Sequence, residues 1–205
     1  MKKLISTLVV LALAALGTTA SVSAQGLEET AIQFRSLHDP SIPDPDPLLF
    51  CMSDEVLDRL PADADLTNMV PVPLGASLWS LATQAKDGKV INEKIKQVGT
   101  GDACAYIDFG SLLDPKLIFP KSPFYGEFVI GGQEVTTSGY CTRTGILYTD
   151  LGPVILVGCS MDVLPECSSE GIVGGLATSS SIFNPFGVPG FSTGSLWGVR
   201  LFSEE

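Results

Sequence analysis

From Ser77 to Phe202 apolar residues recur at alternate positions in short runs, and glycine, proline and acidic residues separate the runs. A period of two puts one set of side chains on each face of an extended strand, which points to a protein of many short strands. Trp79, Leu81 and Thr83 alternate, Lys86-Asp87-Gly88-Lys89 offers a turn, and Val90 to Val98 returns. Ala103, Ala105, Ile107 and Phe109 share one face of the next strand, with Asp102, Cys104, Tyr106 and Asp108 on the other. Phe128-Val129-Ile130, Gly131-Gly132 and Gln133 to Thr137 read as a two-residue hairpin, because glycine takes the positive φ such turns demand. Ile155, Val157, Cys159, Met161 and Val163 form one face of the most apolar run. Trp197, Val199 and Leu201 form the core face of the last.

About eight strands fit this region at ordinary strand and loop lengths. The expected fold is all-β: an antiparallel β-barrel, or a closed sandwich. The barrel is preferred because closure removes exposed sheet edges. One short helix is expected near the N-terminus over Ser53–Leu60, capped by Ser53, with acids in its first turn and Pro61 ending it.

Residues 1–24 read as a secretory signal peptide: Lys2 and Lys3, an apolar run from Leu4 to Leu16, then small residues ahead of Gln25. The run is too short for a membrane span. Residues 25–47 read as an acidic, proline-rich segment, extended or mobile, since His38 to Pro47 alternates proline with acid. Residues 48–205 are then one barrel-like domain of ordinary single-domain size. The expected location is outside the cytoplasm, periplasmic or extracellular.

A formal charge of −11 repels nucleic-acid phosphate, so nucleic acid is not an expected partner. No apolar stretch after the signal is long enough to span a membrane as a helix. An outer-membrane barrel would need consistently apolar outer faces with aromatic girdles, and Arg200 and Gly198 break that face in the last strand. All five cysteines (Cys51, Cys104, Cys141, Cys159, Cys167) follow the signal, so in an oxidising compartment most should pair and one is left over. About fifteen connectivities remain open.

The chemistry-bearing motifs are weak. Gly190-Phe191-Ser192-Thr193-Gly194 matches the nucleophile-elbow pattern, but a strand follows it and the single histidine, His38, lies far upstream. Cysteine–histidine catalysis meets the same obstacle, and Gly99-Thr100-Gly101 lacks the third glycine of a dinucleotide site. No catalytic, cofactor-binding or metal-ligating set is assigned. Glu127, Glu134, Asp150 and Asp162 could form a carboxylate pair only by meeting in space, and surface solvation is the default for them. Arg143 and Arg200 stand in expected strands. Facing a lumen, either could hold an anionic or carbonyl ligand between Tyr106, Tyr140, Tyr148 and Trp197; facing outward, each would pair with a surface acid. Lipocalins and the allene oxide cyclase and dirigent barrels are architectural comparisons that imply a cavity, and fold alone does not establish function. The reading is a secreted, non-enzymatic barrel binding a small apolar or amphipathic molecule, or a partner protein. The alternatives are a histidine-free barrel isomerase, cyclase or carboxylate glycosidase, and a pocketless interaction module.

Overall fold

The computed structural model describes residues 26–38, 47–86, 89–92, 94–114 and 121–204. The expected signal peptide, the Pro-Asp stretch from Asp39 to Asp46, and Asp87-Gly88 of the expected turn lie outside these residues. In chain order the strands are β1 (Leu27–His38), β2 (Val70–Ser80), β3 (Thr83–Lys86), β4 (Lys89–Asn92), β5 (Gln97–Ile107), β6 (Ser122–Ile130), β7 (Gln133–Thr149), β8 (Gly152–Val163), β9 (Ile172–Phe183) and β10 (Gly194–Glu204). The helices are α1 (Pro47–Cys51), α2 (Asp54–Leu57) and α3 (Phe109–Leu113), with one 3-10 turn at Pro165–Cys167.

Eight of the strands close into an antiparallel barrel, as the alternation predicts. Each barrel strand pairs with the next in the chain, β10 returns to β1, and β3–β4 stands apart as a two-stranded hairpin. No helix among the described residues is long and apolar enough to cross a membrane. The β6–β7 turn is the expected glycine pair, with φ of 61° at Gly131 and 90° at Gly132. Both values suit the primed turns that match strand twist.

Three elements depart from the sequence reading. Leu27–His38, assigned there to the N-terminal segment, is strand β1: Ile32, Phe34 and Ser36 alternate with Gln33 and Arg35, and Phe34 is fully buried. Strand β2 begins at Val70 despite Pro71 and Pro73. Among the described residues β1 pairs with it from Ala76 to Ser80, and at Pro71 and Pro73 the described neighbour is β5. Proline fits a strand where its nitrogen faces away from the paired neighbour. Phe109, read as part of a strand, instead begins α3, because the Asp108 carboxylate caps the turn and diverts the backbone. The expected N-terminal helix survives as α2, one turn long, with the Ser53 side chain accepting from the Val56 N–H.

Inward-facing side chains fill half of the lumen. Phe34 on β1 sits directly across from Trp197 on β10, and their rings stack at 5.9 Å and 8°. Phe128 meets the Trp197 ring edge-on at 4.9 Å, and Phe124 lies 6.0 Å away. Each aromatic pair adds roughly 0.5–1.5 kcal/mol beyond the area it buries. Gly101 is part of this arrangement, since a Cβ there would fall 2.5 Å from the Phe128 ring. Below the aromatic layer Ile130, Val135, Met161, Val163, Val199 and Leu201 complete the packing.

A second apolar layer lies outside the barrel. Val56 and Leu60 pack with Cys104, Tyr106 and Tyr125 on the outer faces of β5 and β6. The Cys51–Cys104 disulfide fastens α1 to β5, and Cys141–Cys159 joins β7 to β8 at directly opposed positions. Cys167 is the free thiol. In the loop-entropy picture the bridges, spanning 53 and 18 residues, contribute about 4 and about 3 kcal/mol. Two disulfides fit an oxidising environment.

The Tyr106 hydroxyl donates to the Cys51 carbonyl at 2.5 Å, and burial pushes its pKa from 10.0 up to about 12. Above pH ~10 the unfolded chain releases this proton while the folded chain keeps it, so stability falls as pH rises toward ~12. Urea unfolding at pH ~9 and ~11 should show that fall, with Tyr106→Phe recovering about 1 kcal/mol of it. An identical fall in the variant would show that Tyr106 carries none of it.

Candidate functional site: the open half of the lumen

Eight strands make a barrel just wide enough to be filled by side chains or to hold one small ligand. This barrel is filled by side chains toward one end and leaves a cavity toward the other. Above the Trp197 layer, at the end where β5 leads into α3, a cavity of about 100 Å³ remains. Its walls are Val72 and Leu74 from β2, Ala105 and Ile107 from β5, Val157 and the Cys141–Cys159 bridge, and Phe183 from β9. Phe124 and Trp197 form the floor, and Leu112 of α3 reaches in from the barrel end. Ala105 contributes only a methyl group to this wall.

The polar groups of the lining are almost all hydroxyls. The Trp197 indole donates to Ser36 Oγ at 2.9 Å. Ser181 Oγ lies 3.2 Å from Ser179 Oγ and 2.6 Å from Ser195 Oγ, forming a chain along β9 and β10. Ser122 Oγ is buried without a hydrogen-bond partner. Among the described lining residues the one ionisable side chain is His38, whose Nδ1 lies 3.1 Å from the Gly75 carbonyl.

Helix α3 covers part of this end of the barrel. Asp108 Oδ1 accepts from the Gly110 and Ser111 N–H groups, and Oδ2 accepts from the Ser111 hydroxyl at 2.6 Å. The Ser111 hydroxyl, helped by these N–H groups, holds the Asp108 carboxyl below its ordinary pKa. At the other end of the helix Arg143 Nη1 donates to the Ser111, Leu112 and Asp114 carbonyls at 3.1, 2.6 and 3.0 Å. Leu112 is thereby pinned in the lumen, 1% exposed.

The six side chains expected around a ligand are dispersed. Trp197 lines the cavity. Arg143 shares the inner face with Cys141, just before the β7 bulge, with its guanidinium on the α3 carbonyls. Tyr106 lies on the outer face of β5 beneath α1, and the Tyr140 hydroxyl donates to Asp63 on the outer surface. Tyr148 is exposed near the tip of the β7–β8 hairpin. Arg200 faces solvent and forms a bidentate pair with Glu29 at 2.8 and 2.9 Å. Strand parity explains the outward ones: Arg200 is three residues from Trp197, and Tyr106 is adjacent to Ala105. Sequence reading passed over the serines and small residues of the lining. The available signal was runs of small residues at alternate positions, Ala103 and Ala105 on β5 and Ala177, Ser179 and Ser181 on β9.

The acids meet no cavity of this kind. Glu127 and Glu134 border a polar groove outside the barrel, of about 320 Å³, with Glu55, Arg59, Asp102, Thr136 and Cys167. Its central contacts tie α2 to the barrel: Tyr125 donates to Glu127 at 2.6 Å and accepts from Arg59 at 3.1 Å, and Arg59 pairs with Glu55 at 2.8 Å. Burial pushes the Cys167 thiol up, the opposite of what a reactive thiolate needs. Asp162 is exposed on β8, and Asp150 lies in the β7–β8 turn. Ser192 of the elbow-like pentapeptide lies in the loop ahead of β10, which leads into a strand and not a helix.

The Arg143 contacts make a testable claim about this end. Arg143→Met removes three charge-assisted bonds and should cost about 2 kcal/mol or more. Hydrogen exchange at the Leu112 amide, bonded to the Asp108 carbonyl, should accelerate more than exchange in β10. Unchanged protection at Leu112 would contradict the pinning role.

No family model, no curated protein and no solved structure matches this chain.

Proposed function

We propose that this protein is an exported binding barrel that takes a small, mostly apolar molecule into the open half of its lumen. The observation that carries the reading is the division of the barrel into a filled and an unfilled half. An interior dense with Phe, Val, Leu and Ile would fill throughout if the barrel served only as a scaffold, since empty volume forfeits packing energy. Its lining is largely apolar with a few convergent polar groups, the usual make-up of a ligand pocket. With one histidine as its ionisable member, the lining favours holding a molecule over general acid–base chemistry. Two disulfides and the N-terminal sequence support export.

A second reading, docking of a partner protein at the same barrel end, draws on the exposed apolar residues there. Tyr148 and Leu151 of the β7–β8 hairpin are 62% and 68% exposed, and Phe186 in the β9–β10 loop, beside Gly152, is 52% exposed. Such residues in a group mark interaction surfaces more often than chance exposure does.

Native mass spectrometry of the protein purified from the exported fraction of its own host separates the two. A reproducible small adduct that leaves on denaturation supports the lumen reading, and a protein-sized complex supports the rim reading. A bare chain whose Trp197 indole NMR signal responds to no small apolar molecule would refute lumen binding.

A further inference from the structure

Resting on the lumen reading, we infer that the ligand is uncharged and carries a hydrogen-bond acceptor, a carbonyl or ether oxygen on an apolar body about the size of one ring, which Ser122 binds. Ser122 lies on β6 directly across from Cys141, so its side chain shares the inner face with the Cys141–Cys159 bridge. The residue is 3% exposed and lines the cavity, and its Oγ has no hydrogen-bond partner. A buried hydroxyl without a partner is costly, and native proteins rarely keep one without a use. Rotation about a single side-chain bond lets this hydroxyl sweep the cavity wall.

The other hydroxyls favour the same kind of guest. Ser179, Ser181 and Ser195 bring three O–H donors to two mutual contacts, which leaves one donor over. That left-over hydrogen and the Ser122 hydroxyl can each donate to an acceptor on the guest. Charge is disfavoured on either sign. Among the described lining residues there is no Asp, Glu, Lys or Arg, and Arg143, on the same inner face as Cys141, serves the α3 carbonyls. A carboxylate or ammonium beside Ser122 would lose its hydration, and the one ionisable side chain of the described lining, His38, is exposed rather than buried with Ser122. Size follows from the volume: about 100 Å³ is of the order of the dry apolar cavities, roughly 150 Å³, that accept benzene.

NMR titration of the disulfide-intact protein with acetophenone, ethylbenzene and benzoate tests each part. These probes share a ring and differ in carrying an acceptor, none, or a charge. Acetophenone should bind about five- to tenfold more tightly than ethylbenzene, shifting Ser122, Ala105 and the Trp197 indole, and benzoate should bind weakest. Ser122→Ala should erase the acetophenone advantage and leave ethylbenzene unchanged. Its Tm should stay level or rise, because the variant removes an unsatisfied group. Equal binding of acetophenone and ethylbenzene, an acetophenone preference that survives Ser122→Ala, or benzoate binding as tightly as acetophenone would overturn the inference while leaving a binding lumen in place. If none of the three probes shifts a cavity resonance, the lumen reading itself falls.

Discussion

The stack of Phe34 on Trp197 joins the first barrel strand to the last. Every other pairing joins barrel strands that follow one another along the chain, so its partners are much closer in sequence. The β1–β10 pairing instead brings together residues between 157 (Leu37 and Gly194) and 177 (Leu27 and Glu204) positions apart, and its loop-closure cost must be offset by what the seam buries. Phe34 and Trp197 meet at directly opposed positions, and Phe128 and Phe124 reach the same indole from β6. The indole N–H is satisfied by Ser36, one inward position further along β1. One aromatic layer thus closes the barrel and forms the floor of the cavity, which couples the fold to the site.

The barrel separates its chemistry by face. Inside are apolar side chains, hydroxyls and one disulfide; outside are the acids, most of the cations and the helical clamp. Glu29–Arg200 and the Glu55–Arg59–Tyr125–Glu127 chain are outer-surface contacts. The first is an exposed pair of the kind that adds little stability. Arg143 is the exception on the inner face, and its partners are backbone carbonyls of the helix that covers part of the barrel end. Among the described residues no carboxylate lines the cavity, although the chain is acidic.

Much of the fold was legible because period-two alternation is a direct print of strand geometry. The Gly131-Gly132 hairpin and the inward faces of β8 and β10 follow from it without tertiary information. The missed elements each depend on a neighbour that sequence does not display. Strand β1 is masked by the Pro-Asp run that follows it. The prolines of β2 fall outside its described pairing with β1, which reaches Ala76. Phe109 keeps the alternation of β5, yet the Asp108 cap turns it into a helix. Cysteine pairing waits on register, which sets Cys141 across from Cys159. The site was less legible than the fold. Reading by chemical prominence selected arginines and tyrosines, whereas parity with Trp197 and Ala105 already puts Arg200 and Tyr106 outside. The serines that matter are ordinary residues whose meaning comes from facing an unfilled volume.

The most direct test of a half-filled barrel is a crystal structure under xenon pressure. Xenon enters dry apolar cavities of this size without needing a specific contact. The account predicts a xenon atom between Trp197 and Leu112, against the Cys141–Cys159 bridge, and none below the Phe34–Trp197 layer. A lumen without xenon at that position, with side chains occupying the volume from floor to α3, would contradict it.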